Sequence, residues 1–243
     1  MLILALDTTT RGGSLALLKD GHLLELFAGD PARTHATRLP GDILDCLARH
    51  ELTLGEIDLY GVAVGPGSFT GLRIGIATIQ GLAFASGHPV VGVSALDALV
   101  EAAGPPPPAS RDAGRLRAAW IDAQRGEVYG GLYRSAAACW EPLSGPVVNR
   151  PADVLAEWAD RLGEAGVEFV GDGARAYWEE IDRLMPARAS LITPVPLLAG
   201  AIGSLAARGA AQGLAGAPHR IRPLYVRRPD AELARERNRT GAR

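Results

Sequence analysis

An aspartate followed by three hydroxyl residues, Asp7-Thr8-Thr9-Thr10, closes the first apolar run of the chain. A carboxylate at the end of a buried strand, with a tight turn after it, can hold a metal-bound phosphate against the turn backbone. Close approach of a phosphate usually requires glycine two residues after the acid, and Thr9 occupies that position. Two interpretations stay open: Asp7 and Thr8 belong to a nucleotide site, or Asp7 accepts hydrogen bonds within its own turn.

A glycine-rich segment, Gly65-Pro66-Gly67-Ser68-Phe69-Thr70-Gly71, lies between an apolar run and a helical pattern. Backbone N–H groups at a helix N-terminus bind anions, and Ser68 or Thr70 would cap the helix. The spacing matches neither the P-loop nor the dinucleotide fingerprint. A residual nucleotide site is therefore predicted at a small set of residues: Asp7, Thr8, Gly65, Gly67, Ser68 and Thr70.

Several other chemistries lack the residues that they need. Lys19 is the only lysine, so a P-loop lysine is absent and Schiff-base chemistry would depend on that residue alone. The five histidines include no HExxH and no i, i+4 pair, and the sequence has no GxSxG. We therefore predict no metal site and no catalytic residue. Cys46 and Cys139 lack CxxC spacing, which is typical of two free thiols in a reducing compartment.

The charge is unevenly distributed along the chain. From Arg220 onward eight arginines accompany three acids, which gives +5, and because the net charge is −2 the remainder carries −7. A basic tail on an acidic body could contact a nucleic acid or an acidic partner. The alternative is a solvated terminus without a partner. No run of 18 apolar residues and no basic leader occurs, so we expect no membrane contact and a cytoplasmic protein.

The elements that must position these residues alternate in a regular order. Residues 2–6, 13–19 and 22–28 are predicted strands, and Asp20-Gly21 marks a hairpin turn between the second and third. The predicted elements that follow are a helix at 34–50, a strand at 58–64, a helix at 70–86, a strand at 89–93 and a helix at 95–103. Leu39, Ile43, Leu44 and Leu47 form the apolar stripe of the first helix. This order resembles one half of the actin, Hsp70 and sugar-kinase (ASKHA) fold, an α/β class with a mixed five-stranded sheet.

A second, shorter and degenerate copy of this unit is predicted after a proline run. Pro105 to Pro108 cannot continue a helix and reads as a linker. Strands at 116–122 and 128–133 then restart the pattern, and Asp122 ends the first as Asp7 does. Helices at about 151–165, 175–184 and 196–209 and a strand at 167–170 follow. The predicted organisation is an N-terminal domain at 1–103, a linker at 104–115, a second domain at 116–222 and an arginine-rich tail at 223–243.

The helix predicted at 70–86 is apolar nearly all round, since only Arg73, Thr78 and Gln80 are polar between residues 72 and 85. Such a helix is buried on more than one face. One face belongs on the sheet. The other is covered either by the helix at 34–50 or by a partner subunit, and the residues leave both possibilities open.

Several stretches of the sequence resemble the TsaB (YeaZ) family, in order from residue 2 to about residue 230. They are ILALDTTT, GPGSFTGLRIGIATIQGLAFA, VSALDAL, IDAQRGEVYGGLY, GDGA and PLYVRRP. The resemblance implies a noncatalytic subunit that pairs with and activates the TsaD transferase for threonylcarbamoylation of adenosine 37 in ANN-decoding tRNAs. It implies no cofactor for this chain alone, with ATP or ADP and the metal belonging to the complex. The alternative function is a small ATPase or kinase of the same fold.

The resemblance also implies partners and an interface. The partners are a TsaD-like catalytic subunit, a TsaE-like ATPase, tRNA through the complex, and a second copy of the chain when it is alone. The interface is expected on the two helices of the N-terminal domain, at His35, Leu39, Ile43, Gly71, Arg73, Gly75, Ile76 and Ile79. An arginine at Ile76 is then expected to prevent pairing without unfolding the chain.

Overall fold

The computed structural model describes residues 1–107, 114–136 and 139–227. The predicted linker, 104–115, and the predicted tail, 223–243, therefore lie partly outside the described residues. The fold is a mixed α/β arrangement of two halves, each built on one sheet.

The first half contains strands β1 (Leu2–Asp7), β2 (Ser14–Lys19), β3 (His22–Ala28), β4 (Leu59–Gly65) and β5 (Val90–Ser94), with helices α1 (His35–Arg49), α2 (Phe69–Ser86) and α3 (Ala95–Ala102). The strands of the second half are β6 (Leu116–Asp122), β7 (Val128–Ser135), β8 (Trp140–Asn149), β9 (Val167–Val170) and β10 (Ala189–Leu191). Its helices are α4 (Pro151–Glu157), α5 (Ala159–Leu162), α6 (Asp172–Ala176), α7 (Trp178–Leu184) and α8 (Ala199–Ala211).

The first sheet has the order β3-β2-β1-β4-β5. Strands β1, β2 and β3 are antiparallel, and β4 and β5 extend the sheet in parallel to β1. Strand β1 is buried along its whole length, as its continuous apolar run requires for a strand covered on both faces. Asp20 and Gly21 both have positive φ, which is the geometry of the tight hairpin turn that their sequence predicts.

The second sheet repeats this topology, with the order β8-β7-β6-β9-β10. Its first three strands are antiparallel, and β9 and β10 are parallel to β6. In both halves the first strand ends in an aspartate, at Asp7 and Asp122. The predicted duplication of an α/β unit with a mixed five-stranded sheet is therefore confirmed, and the second sheet has as many strands as the first.

The helices form layers outside and between the sheets. Helices α1 and α2 cover one face of the first sheet and share a core with it. Helices α3 and α8 lie between the sheets, in a core to which both halves contribute, including Leu99, Ile121 and Ile202. Although α8 comes last in the chain, it packs on β1, β2 and β4, and its first residue donates a 3.0 Å backbone hydrogen bond to Ser14 Oγ. The predicted domain limits stay a prediction, and α8 packs across them.

Several features differ from the sequence prediction. The helices predicted at 151–165 and 175–184 are each divided in two, α4 with α5 and α6 with α7. Leu44 was placed on the apolar stripe of α1, but it is 57% exposed and Cys46 is buried instead. Strand β8 was missed because Pro142, Gly145 and Pro146 interrupt its pattern, and such residues are tolerated at the edge position that β8 occupies. Strand β10 has three residues, too few for a periodic signal.

Cys46 and Cys139 are both free, as predicted. Burial and the nearby carboxylate of Glu25 raise the pKa of Cys46 to about 12, so this thiol stays protonated at neutral pH. Among the described residues, no helix combines the length and the apolarity that crossing a bilayer requires.

Candidate functional site

The turn after β1 satisfies its aspartate internally. Asp7 Oδ1 accepts hydrogen bonds from the backbone N–H and the hydroxyl of Thr9, at 2.8 and 2.6 Å. The side chain is 2% exposed, and burial raises the pKa of Asp7 while the two bonds from Thr9 oppose that rise. The carboxylate therefore organises its own turn, and a nucleotide role for Asp7 and Thr8 stays a prediction.

The glycine-rich loop packs directly on this turn. Ser68 N–H donates to Thr9 O at 2.9 Å, and a Cβ at Gly67 would lie 2.6 Å from Thr9 Cβ. Gly65 and Gly67 have φ of +119° and +157°, so both adopt a backbone conformation that side chains disfavour. The structure thus brings the predicted nucleotide residues together, but the loop and the turn touch with no gap between them.

The loop also starts helix α2. Ser68 caps it, since its Oγ accepts a hydrogen bond from Gly71 N–H at 3.2 Å, whereas Thr70 is exposed. One helical turn apart, Gly71 and Gly75 face Thr8. A Cβ at Gly71 would lie 2.1 Å from Thr8 O, and one at Gly75 would lie 2.2 Å from Thr8 Oγ1. These two glycines therefore admit the chain's own turn, not a partner.

The second half carries a similar arrangement. Asp122 accepts hydrogen bonds from the backbone and side-chain amides of Gln124, at 2.9 and 2.7 Å. Asp172 accepts from the backbone N–H groups of Asp122 and Gly173. Burial raises the pKa of Asp172, with the charge of Asp122 acting in the same direction. Sequence reasoning did not single out Asp172, although Gly171-Asp172-Gly173 at the end of a strand was the available signal.

A buried arginine joins α1 to the first hairpin. Arg38 is 1% exposed, pairs with Asp42 and donates to Gly12 O. Its guanidinium also lies 3.0 Å from His35 Nδ1, and His35 Nε2 lies 3.0 Å from Thr10 O. These contacts fit one tautomer, in which Nε2–H donates to Thr10 and Nδ1 accepts from Arg38.

Sequence analysis did not single out Arg38, and the available signal was the two glycines that lie against its side chain. A Cβ at Gly29 would lie 1.8 Å from the guanidinium carbon of Arg38, and a Cβ at Gly13 would lie 3.2 Å from Arg38 Nη2. Both glycines are therefore required to make space for a charged side chain within the fold.

Most of the predicted interface residues are buried within the fold of this chain. The buried members are His35, Leu39, Ile43, Gly71, Gly75, Ile76 and Ile79, and Arg73 alone among the predicted set is exposed. Ile76 is 5% exposed and belongs to the core beneath α1 and α2. An arginine at Ile76 would place a charge in that core and destabilise the chain, so this expectation from the sequence was wrong.

Part of the outer surface of the same two helices is exposed and apolar. Helix α1 presents Ala36, Pro40 and Leu44 at four-residue spacing, and α2 presents Ala77, Gly81 and Phe84. Phe84 is 84% exposed. Gly41 and Gly81 have open space beyond them, because an added Cβ would meet no atom within 4 Å. Within the described residues, α1 and the first turn cover part of α2 and the rest is uncovered, so cover by a partner subunit stays a prediction.

No group of three metal-ligating side chains occurs among the residues that the structure describes. His35 lies at the start of α1 with Arg38 as its neighbour, and burial together with the charge of Arg38 lowers its pKa while the hydrogen bond to Thr10 opposes this. His35 thus positions the first hairpin, and the contacts give it no second ligand residue.

Two halves of equal topology with an aspartate at the end of each first strand define an α/β protein of the actin and sugar-kinase (ASKHA) class. At 11% sequence identity, component A of the Acidaminococcus fermentans (R)-2-hydroxyglutaryl-CoA dehydratase superimposes with a TM-score of 0.50 over 87% of this chain and 99% of that one. At this identity the likeness concerns the fold alone, and it confirms the predicted fold class.

Residues 30–176 match the family described as TsaD, tRNA N6-adenosine threonylcarbamoyltransferase. The Escherichia coli tRNA threonylcarbamoyladenosine biosynthesis protein TsaB is 36% identical over 184 residues, which cover 75% of this chain and 76% of that protein. The structure of YeaZ from Pseudomonas aeruginosa is 33% identical, with a TM-score of 0.74 over 92% of this chain and 99% of that one. The chain belongs to the TsaB (YeaZ) family.

A further relative, protein ML0378 of Mycobacterium leprae, is 37% identical over 158 residues, and this match spans 63% of the chain but 40% of that protein.

Proposed function

We propose that this chain is the noncatalytic subunit of a bacterial threonylcarbamoyl transferase complex. It pairs with a TsaD-like catalytic subunit and activates it for N6-threonylcarbamoylation of adenosine 37 in ANN-decoding tRNAs. Membership of the TsaB family supports the pathway, since the E. coli relative is named for tRNA threonylcarbamoyladenosine biosynthesis. In this proposal a TsaE-like ATPase, the nucleotide, the metal and the tRNA belong to the assembled complex, and the isolated chain forms a homodimer.

The exposed apolar face of α1 and α2 is the observation that supports pairing with another subunit. Both helices lie in one layer on the same side of the first sheet, so their outer stripes share one surface. Gly41 and Gly81 leave that surface free for close approach of another backbone, and Phe84 supplies an exposed aromatic anchor. Exposed apolar patches of this kind typically mark protein–protein contacts, and aromatic side chains dominate their binding energy. The same surface serves a second copy or a TsaD-like subunit of similar fold.

Phe84→Arg tests this face in place of the unsuitable change at Ile76. Because Phe84 is 84% exposed, the substitution should leave the thermal unfolding midpoint of the monomer nearly unchanged, when it is measured at a concentration too low for the homodimer to form. It should also weaken pairing at least a hundredfold, because it replaces an exposed aromatic side chain by a charge, and removing that charge from water costs free energy. Light scattering coupled to size exclusion, on the chain alone and mixed with its own TsaD, measures both the homodimer and the 1:1 complex.

Leu214→Arg is the matched control, because Leu214 is also a large, exposed apolar residue (66%) but lies in the loop after α8. It should pair like the unmodified chain. A complex that survives Phe84→Arg but is lost with Leu214→Arg would place the interface elsewhere. If Phe84→Arg abolished the homodimer but left the TsaD complex intact, the two partners would bind different surfaces and not the single surface proposed.

Activity is assayed with TsaD, TsaE, tRNA and the threonylcarbamoyl donor present. The proposal expects modification that depends on this chain and falls with Phe84→Arg in proportion to pairing. Saturable binding of Mg·ATP with phosphate release by the isolated chain would instead support the alternative, an ATPase or kinase.

A further inference from the structure

The chain after α8 does not leave the molecule but returns along the first half. Val90 and Gly216 exchange two backbone hydrogen bonds of 3.0 Å, which adds an isolated bridge beside β5. Next, Gln80 of α2 donates to the carbonyl oxygens of Pro218 and Ile221, at 2.9 and 3.2 Å. Residues 216–221 are thus held against the first sheet and its helix.

The following residues contact the carboxyl end of β4. Leu224 N–H donates to Val64 O at 2.7 Å, and a Cβ at Gly65 would lie 2.7 Å from Leu224 O. A side chain at position 65 would therefore displace this segment. Gly65 of the glycine-rich loop thus leaves space for the chain's own C-terminal segment.

An aromatic and cationic cluster fixes the next residue to the start of α2. The rings of Tyr225 and Phe69 lie 5.0 Å apart, and Arg73 Nε–H donates to the Tyr225 hydroxyl at 2.9 Å. The Arg73 guanidinium also lies 3.8 Å from the centre of the Phe69 ring. Stacking and cation–π contacts of this kind stabilise even exposed side chains.

Arg227 then reaches the second half. It donates to Ala123 O at 2.9 Å and forms an ion pair with Glu127, both in the turn between β6 and β7. Its guanidinium also lies 5.9 Å from the centre of the Tyr129 ring. Within four residues the segment has passed from the end of β4 to the hairpin that follows Asp122.

We propose that residues 223–227 form an intramolecular clamp that ties the carboxyl end of the first sheet to the β6–β7 hairpin and fixes the position of that hairpin. The clamp joins α2, through Arg73 and Phe69, to the second half, through Arg227. The position of the β6–β7 hairpin is in this way fixed by contacts outside the shared core.

Two shortened chains test the clamp. One ends at Arg222 and lacks it, and the other ends at Pro229 and keeps it. Amide hydrogen exchange, read by mass spectrometry, should be at least tenfold faster in residues 120–129 of the first chain than in the intact protein. The second chain should exchange as the intact protein does. Unchanged exchange in residues 120–129 of the chain ending at Arg222 would overturn the proposal.

Point variants keep the test decisive if the shortened chain folds poorly. Arg227→Ala removes only the contact with the hairpin, so exchange should rise at least threefold in residues 120–129 and stay unchanged in β4. Arg222→Ala is the matched control, since Arg222, within the described part of the chain, donates only to the nearby carbonyls of His219 and Ile221. Equal exchange for the Arg227 and Arg222 variants, or a rise spread over the whole chain, would contradict a clamp.

Discussion

Thr8 and Gly75 are matched in shape without being hydrogen-bonded to each other. Thr8 is fully buried, and its hydroxyl oxygen has no hydrogen-bond partner within the described residues. The contact is therefore one of packing alone, and it seats α2 on the turn after β1. Side-chain size at positions 8 and 75 should therefore affect stability more than side-chain polarity does.

Gly75→Ala is expected to lower the free energy of unfolding by about 1–3 kcal/mol, because the new methyl group would overlap Thr8 Oγ1. Gly81→Ala, on the same helix with open space around it, should instead raise the free energy of unfolding of the monomer by up to about 1 kcal/mol through helix propensity. Urea unfolding measures both. Adding Thr8→Ala should restore most of the loss in the Gly75 variant, and if it does not, the Thr8 contact is not the cause.

His35 should make stability depend on pH. The folded protein holds the pKa of His35 below the ordinary value of about 6.5, so the unfolded chain binds more protons between the two values. Stability is therefore full above about pH 6.5 and falls as the pH decreases toward the folded pKa, below which the loss is constant. Protonation also places an N–H on Nδ1, which faces the Arg38 guanidinium.

The test compares urea midpoints at several pH values for the unmodified chain and for His35→Gln. Asp7 acts in the opposite direction, since its raised pKa favours the folded state at lower pH, and so only the difference between the two proteins is diagnostic. The difference should shrink as the pH falls. The exposed His22 provides the control: His22→Gln should follow the unmodified chain, and an equal effect of both changes would exclude His35 as the source.

At the scale of elements, α2 depends on its first turn. Its N-terminus meets the turn after β1, its inner face meets the first sheet, and Arg73 and Gln80 hold the returning C-terminal segment. Helix α2 therefore links the exposed apolar face to the clamp. Fraying of its first turn would disturb the turn after β1 and the clamp together.

Ser68→Ala should destabilise the chain by about 1 kcal/mol, because it removes the side-chain cap of α2. Thr70→Ala is the matched control, since Thr70 is a neighbouring exposed hydroxyl that does not cap the helix. Denaturant midpoints distinguish the two. A larger loss at Thr70 than at Ser68 would mean that the helix begins differently in solution.

At the scale of the molecule, each half depends on the other. Helix α8 follows the second sheet in sequence, yet it covers the first sheet, and α3 packs on both β4 and β6. The core between the sheets contains residues of β1, α3, β6 and α8. Each half thus has a core on its outer face, but the core on its inner face is shared with the other half.

A fragment of residues 1–103 should therefore fail to unfold cooperatively, since it would expose the face of β1, β2 and β4 that α8 buries. Circular dichroism against temperature and the dispersion of amide proton shifts report this directly. The full chain, measured under the same conditions, should show a single transition. A well-dispersed spectrum and a sharp transition for the fragment would show that the first half folds without α8.

The sequence by itself determined the order of elements in the first half, the duplicated unit and the two acid-ending strands. Each rests on local signals: continuous apolar runs, glycine turns and a capped helix, as at Asp20-Gly21 and Ser68. The family resemblance, confirmed by relatives and by a solved structure, rests on such segments as well. Periodicity also showed that α2 is apolar on more than one side.

Tertiary structure decided what covers each apolar face and where buried charges go. Only the three-dimensional packing places Thr8 on Gly75, Arg38 against Gly29, and α8 on the sheet of the other half. These contacts join residues far apart in the chain, and a periodic pattern states that a face is buried without naming its neighbour. For the same reason the sequence predicted an interface at residues that prove to be buried, and the interface proposed from the structure uses the outer stripes of α1 and α2, which include Leu44 and Phe84.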